Sequence, residues 1–285
     1  MATLRERIPA IVAMGGRRQP PASEADRVRS DLTTIERGNG LAERAALITG
    51  ASSGIGLAVA KALGEDGYAL TVSGRRPEKL EAAVEEIRAT GAEVKSIAAN
   101  MTSEEEVVGL FDAHRESYGR LDVLMNNAGV GIGAPMDQIK TKHLDMQLAV
   151  NLRALIIGTR EGLPMLKEAG GEHGKALIVN TASIAGKTGQ AWLSIYAATK
   201  AAVLNFSVAT QREHGESGIQ CTALAPGFVD TPMTEFVKDQ VKAEEMIRPE
   251  DLAEAVRFLL KTSRYCVIPE IMFLRPSEAA QGGLA

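Results

Sequence analysis

Thr49-Gly50-Ala51-Ser52-Ser53-Gly54-Ile55-Gly56 joins the short apolar run Ala45–Thr49 to the segment Gly54–Gly64, where Ile55, Val59, Ala62 and Leu63 recur near helical spacing. This succession of strand, glycine loop and helix decides the fold. Glycine permits a tight turn and lets backbone amides approach a pyrophosphate closely. The N-terminus of the helix that follows adds unpaired amides and the positive end of its dipole. The glycines are spaced G-x-x-x-G-x-G and no Gly-Lys-Ser/Thr ending follows, so the loop reads as a dinucleotide cradle and not as an NTP-binding loop.

Outward from the loop, short apolar runs alternate with longer amphipathic ones. Ala69–Ser73 reads as a second strand, and Pro77–Thr90 as a second helix that opens on proline and stops at Gly91. Val94–Ala98, Val123–Asn126, Ala176–Asn180, Ile219–Ala225 and Ile271–Leu274 read as five further strands. Ser103 is placed to cap a helix, with Glu106 at the capping-box position. Strands separated by helix-length segments predict right-handed βαβ units. The expected fold is α/β, a Rossmann-like doubly wound parallel sheet of about seven strands with helices on both faces.

Residues 45–276 then form a single Rossmann-fold domain, preceded by an extension (1–44) and followed by a tail (277–285). The extension carries arginines but no lysine, Pro20-Pro21 and the turn signal Gly38-Asn39-Gly40. It reads as a mobile arm or an upstream start-site extension, or alternatively as an arm that packs on a partner subunit. Its apolar piece Ile8–Met14 is broken by Pro9, and Glu6, Glu24, Asp26, Asp31 and Glu36 are foreign to a transit peptide. The net charge of −4 does not call for nucleic acid, and no apolar run reaches the ~20 residues of a membrane span. The two cysteines, Cys221 and Cys266, imply no disulfide framework, which fits a cytoplasmic protein. His114, His143, His173 and His214 are scattered, so no metal site is expected.

Tyr196 and Lys200 stand four residues apart, with Ser183 thirteen positions upstream. On a helix this spacing puts phenol and ammonium on one face. An ammonium ~4 Å from a phenol at an effective dielectric of ~20 favours the phenolate by ~4 kcal/mol. That is roughly three pKa units, enough to bring a phenol near neutrality. The pair therefore reads as a tuned acid/base, and Ser183 as a donor to a substrate oxygen.

The glycine loop, Asn126-Asn127-Ala128-Gly129, Asn151, Ser183, Tyr196 with Lys200, and Pro226-Gly227 together resemble the short-chain dehydrogenase/reductase family, from about Ala45 to about Leu274. The resemblance implies a catalytic set of Asn151, Ser183, Tyr196 and Lys200. Tyr196 would exchange a proton with the substrate oxygen, and Ser183 would hydrogen-bond that oxygen. Lys200 would bind the nicotinamide ribose and lower the tyrosine pKa, and Asn151 would hold a relay water. The cofactor would lie along Gly50, Ser52, Ser53, Gly54, Ile55 and Gly56, then Asn127, Ala128 and Gly129, with Asn126 bracing the sheet. Pro226 and Gly227 would run under the nicotinamide, and Val229 and Thr231 would meet its carboxamide. Asn100, followed by Met101, takes the place of an aspartate that accepts from the adenine amino group; its carbonyl oxygen could do the same.

An acid at the end of the second strand would repel a 2′-phosphate; Gly74 stands there, and Arg75 follows. This favours NADP(H), with NAD(H) possible, since Ser53 occupies a loop position where many NADP users of the family carry a base. Substrate contacts are expected from Ala185, Gly186, Trp192, Leu193 and Phe228. Met233–Ile247 is the expected lid, and its charges (Lys238, Asp239, Lys242, Glu244, Glu245) argue against a large apolar ligand. The implied activity is oxidoreduction of a small to medium secondary alcohol or carbonyl (EC 1.1.1.-). The alternatives are 3-oxoacyl-[acyl-carrier-protein] reduction, an NAD-dependent alcohol or hydroxysteroid-type dehydrogenase, and a non-enzymatic dinucleotide-binding regulator. The resemblance implies a homodimer or homotetramer through the helices holding Asn151 and Tyr196 and through the last strand, with Val203, Phe206 and Val208 of Tyr196–Gly215 offering apolar surface.

Overall fold

A strand of a parallel sheet covered by helices on both faces is buried along its whole length and therefore mostly apolar. Five segments meet that demand along their whole length: β1 (Ala45–Thr49), β2 (Ala69–Gly74), β4 (Val123–Asn126), β5 (Ala176–Thr181) and β6 (Ile219–Pro226) are buried at every residue. β3 (Val94–Ala98) and β7 (Glu270–Phe273) are only partly buried, as edge strands can be. The structure, a computed structural model, describes residues 43–280. The expectations for residues 1–42 and for the tail beyond residue 280 lie outside those residues. All seven strands are parallel, in the order β3-β2-β1-β4-β5-β6-β7. The winding reverses between β1 and β4, so the loops leaving those two strands diverge and open a crevice at their carboxyl ends.

The described residues hold eight α-helices: α1 (Gly54–Glu65), α2 (Pro77–Arg88), α3 (Glu104–Tyr118), α4 (Thr141–Leu148), α5 (Ala154–His173), α6 (Ser194–His214), α7 (Pro249–Lys261) and the short α8 (Pro276–Ala280). Neighbouring strand residues point to opposite faces. Ile48 accordingly packs with Val59, Leu63, Leu252 and Val256 from α1 and α7, whereas Leu47 packs with Leu110, Phe111 and Leu166 from α3 and α5. The strands and first two helices match their sequence-predicted bounds to within two residues. α7 was not anticipated, although Leu252, Val256 and Leu259 form its buried stripe.

The capping box expected at Ser103 is half formed. Ser103 Oγ accepts from Glu106 N at 3.3 Å, but Ser103 N donates to Asn100 O at 2.9 Å, and the Glu106 carboxylate takes Asn100 N at 2.8 Å instead. No helix of the described residues is long and apolar enough to cross a membrane.

Candidate active site

The glycine loop is built by close approach. Gly50 (φ 68°) and Gly54 (φ 56°) adopt left-handed backbone that side chains disfavour. A Cβ on Gly56 would lie 2.5 Å from Gly50 O and 2.6 Å from Asn127 Nδ2. Asn127 latches the loop: its Nδ2 donates to Thr49 O (3.2 Å) and Gly50 O (3.1 Å), and its Oδ1 accepts from Thr181 Oγ1 (3.1 Å). The loop leads into α1, whose N-cap Ser53 makes no side-chain bond and whose first turn holds no acid. The first amides of α1 are therefore unspent and face the crevice.

That crevice is a cavity of about 1090 Å³, at the upper end of the ~300–1,000 Å³ typical of small-molecule sites. It runs from Arg75, Asn100 and Met101 past Ser52, Ser53, Gly54 and Ile55 to Ser183, Tyr196 and Lys200. Ala128, Gly129, Pro226, Gly227, Val229 and Thr231 line it too, as do Ala185, Trp192, Leu193 and Phe228. Two sequence-predicted residues stand behind its wall. Gly56 supports the loop from the rear. Asn151 is 1% exposed; its Oδ1 accepts from Val130 N (2.8 Å) and its Nδ2 donates to Val130 O (2.9 Å) and Thr199 Oγ1 (3.1 Å). It sits in a π-turn (Ala149–Arg153) between α4 and α5, and its amide braces the Val130 loop.

Further expectations are revised by the geometry. Gly186 does not line the cavity. It seats the turn after Ser183 against α6, where a Cβ would lie 2.6 Å from the Lys200 carbonyl carbon. Asn100 Oδ1 already accepts from Thr102 N (3.2 Å) and Thr102 Oγ1 (3.0 Å), so its amide nitrogen, not its oxygen, is the group left for a ligand. The lid segment turns apolar side chains inward. Met233 and Phe236 line the cavity, while Lys238 pairs with Glu235 (2.8 Å) and Asp230 (3.4 Å). The sequence reading missed Arg275 and Glu278, which return over Gly227 from the C-terminal side and bond to each other at 3.0 Å.

α6 carries Tyr196 and Lys200 on one face. Lys200 Nζ lies 5.6 Å from the tyrosine ring centroid and donates to Thr181 O at 2.7 Å. Lys200 is 4% exposed, and burial pushes its ammonium down to about 8. Tyr196 opens onto the cavity, yet burial raises its phenol above the ordinary range, against the pull of a hydrogen bond with Ser183. Burial and Ser183 are the causes of that shift, and Lys200 is not among them. The ammonium is anchored by the hydrogen bond it donates to the Thr181 carbonyl. Ser183 Oγ also accepts from Ala185 N (3.2 Å) and donates to Pro226 O (3.3 Å).

A notched glycine loop, unspent helix amides and a long cavity ending at a Ser–Tyr pair fit a nicotinamide dinucleotide with its substrate. The family model for short chain dehydrogenases matches residues 44–242. The chain belongs to this family and is an oxidoreductase working between CH–OH and carbonyl groups. A 3-oxoacyl-[acyl-carrier-protein] reductase of Staphylococcus aureus (strain Mu50) is 34% identical over 227 residues, covering 76% of this chain and 90% of the relative. Among solved structures, an alcohol dehydrogenase from the archaeon Thermococcus sibiricus, complexed with 5-hydroxy-NADP, superposes with a TM-score of 0.73 at 30% identity, covering 81% of this chain and 96% of that one. A 3-ketoacyl-(acyl-carrier-protein) reductase from Brucella melitensis, complexed with NADH, gives 0.74 at 28% identity, covering 82% and 97%.

Proposed function

We propose that this chain reduces the carbonyl group of a small to medium ketone, or oxidises the matching secondary alcohol, with NADP(H) as hydride partner. The observation that carries the reading is Ser183 and Tyr196 together on the wall of a cavity that begins at the glycine loop. Ser183 Oγ orients the substrate oxygen and Tyr196 Oη holds the proton that oxygen receives. Because burial raises the phenol, it keeps its proton at neutral pH, which suits reduction. When bound, the nicotinamide supplies or takes the hydride. Lys200, which shares a helix face with Tyr196, would meet the ribose hydroxyls.

NADP is favoured over NAD by the end of β2. Arg75 is exposed there on the cavity rim, and a Cβ on Gly74 would lie 3.1 Å from Ser52 Cβ, which leaves little room for an acidic side chain. The neighbours hold an NADP derivative in one case and NADH in the other, so the preference rests on Arg75. A second reading, reduction of a 3-oxoacyl thioester, is supported by the 34% identity to the Staphylococcus reductase. The reading includes a cytoplasmic homo-oligomer: both cysteines are free, and Leu148 and Ile156 expose apolar surface on α4 and α5.

The test is a panel of ketones, secondary alcohols and 3-oxoacyl thioesters assayed with NADPH and with NADH. Tyr196→Phe should abolish turnover, and Arg75→Ala should weaken NADPH about tenfold while leaving NADH little changed. Undiminished turnover by Tyr196→Phe would sink the proton assignment, and tighter binding of NADH than NADPH would sink the cofactor assignment.

A further inference from the structure

We infer that Trp192 and Phe236 form an aromatic gate at the substrate end of the cavity, selecting carbonyl compounds that carry a flat apolar substituent such as an aryl ring. The inference deepens the proposed function and rests on it for the position of the reacting carbonyl.

The backbone at Trp192 gives the first reason. Its φ of 72° is the only positive value at a non-glycine residue among the described residues. A bulky side chain in left-handed backbone is strained and persists only where its surroundings hold it. Here Ala134 N donates to Trp192 O at 2.8 Å. The indole lies flat on Gly133, where a Cβ would come within 2.5–2.6 Å of Cδ2, Cε3 and Cε2. The loop between β4 and α4 thus holds a notch shaped to the ring. A strained residue seated this closely is fixed in place, and what it is fixed over is the cavity mouth.

Phe236 gives the second. It comes from the other side of the mouth, on the turn Pro232–Val237. Its ring centroid lies 5.8 Å from the indole at a 50° tilt, within the range of favourable aromatic pairs. Both rings line the cavity, yet they remain 47% and 56% exposed. Covering them with an apolar group removes that surface from water.

Charge and lining settle the chemistry. Ile132, Met146, Val150 and Leu193 continue the apolar wall inward from the rings. The charged groups lining this end are already engaged, with Arg275 on Glu278 and Lys200 on the Thr181 carbonyl. Among the described residues an ionic substituent would find no unpaired charged partner there, whereas a flat ring could join the aromatic pair.

Trp192 is the only tryptophan in the chain, so its fluorescence reports the gate alone. The experiment titrates acetophenone and cyclohexyl methyl ketone, which share a carbon skeleton but differ in flatness, into protein holding oxidised cofactor. Acetophenone should quench the emission saturably and bind about five- to tenfold more tightly than the cyclohexyl ketone. Phe236→Leu, at an exposed position, keeps apolar bulk and should erase most of that preference. Gly133→Ala, which unseats the indole, should do the same. With NADPH, the acetophenone preference in kcat/KM should shrink in parallel. Unchanged emission with acetophenone, equal affinity for the two ketones, or a preference that survives in Phe236→Leu overturns the gate. If acetophenone quenches selectively but neither ketone is reduced, the gate stands and the carbonyl reading of the site fails.

Discussion

Replacing Lys200 with methionine should make the cofactor-free protein more stable while removing its activity. Burial holds the ammonium at about 8, against 10.5 for a free lysine. That difference of about 2.5 units corresponds to about 3 kcal/mol spent on keeping a protonated lysine in the folded protein at neutral pH. Between pH 8 and 10.5 the unfolded chain binds this proton and the folded chain does not. Stability therefore rises with pH through that window, and the penalty is felt in full below it. Methionine has similar length and no charge, but it forfeits the bond to Thr181 O, a loss of about 1–2 kcal/mol. The net expectation near pH 7 is a variant more stable than the parent by about 1–2 kcal/mol. The advantage should shrink from pH 8 upward and reverse as 10.5 is approached. Burial also pushes Cys221 and Tyr118 up to about 12, which lowers alkaline stability, but both proteins share this and it cancels in the difference. Urea unfolding of both proteins, without cofactor and across this pH range, measures it. A methionine variant less stable than the parent by more than about 1 kcal/mol near neutrality would refute the reasoning, as would a difference insensitive to pH.

Acid should destabilise the protein through His114, which burial depresses to about 4 from 6.5. The unfolded chain takes up that proton first as pH falls through 6.5, so about 3 kcal/mol of stability should disappear by pH 4. His114→Gln should flatten that limb of the urea-unfolding profile, and an identical limb would count against the assignment. Gly56→Ala should push Asn127 off the loop, since its Cβ would lie 2.6 Å from Asn127 Nδ2. Calorimetric titration with NADPH should then show about tenfold or greater loss of affinity, accompanied by about 1–3 kcal/mol of destabilisation, while affinity equal to the parent's would mean the loop relaxes freely.

The sheet was legible because its physics is local. Ala-Leu-Ile-Val-Asn-Thr (176–181) is a short apolar run bounded by breakers, and such a run, when both faces are covered, can hardly be anything but a buried parallel strand. The glycine loop was legible for the same reason, since Gly50 and Gly54 adopt backbone that few other residues tolerate. What escaped the sequence depends on contacts between distant segments. Nothing around Leu148–Arg153 announces the π-turn that aims Asn151 at Val130, because the pattern Leu-Ala-Val-Asn-Leu-Arg suits an ordinary helix equally well. The four-residue spacing of Tyr196 and Lys200 fixes a shared helix face, but the ammonium's partner, Thr181 O, comes from β5. Met233 and Phe236 are embedded in a charged segment, and composition averaged over that segment hides which side chains face the cavity. The signal was present in part: the two apolar residues stand three apart, the period of the tight turn that carries them.

The asparagines show why a motif and a binding surface can be different things. Asn126 Nδ2 ties β4 to Thr159 (3.1 Å) and to Asn180 (2.9 Å), and Asn180 continues to Ser207 (2.9 Å). Asn127 latches the glycine loop and Asn151 braces Val130. An amide carries both donors and acceptors, so it can join a carbonyl and an N–H that lack partners where strands end and loops begin. Doublewound sheets gather such orphaned groups at the carboxyl ends of their strands, where the crevice must stay open. Spending the amides on backbone keeps the crevice rigid and leaves few polar side chains free to choose a ligand. Among the polar side chains that line it are Arg75 at one end, the Asn100 amide beside it, and Ser183 with Tyr196 at the other. On the proposed function, recognition along the middle would fall to the amides of α1, which would hold the same anion whatever is attached to it. Discrimination between ligands must arise at the two ends, which is why Arg75 and the Trp192–Phe236 pair are the places where substitutions should change what this enzyme binds rather than whether it folds.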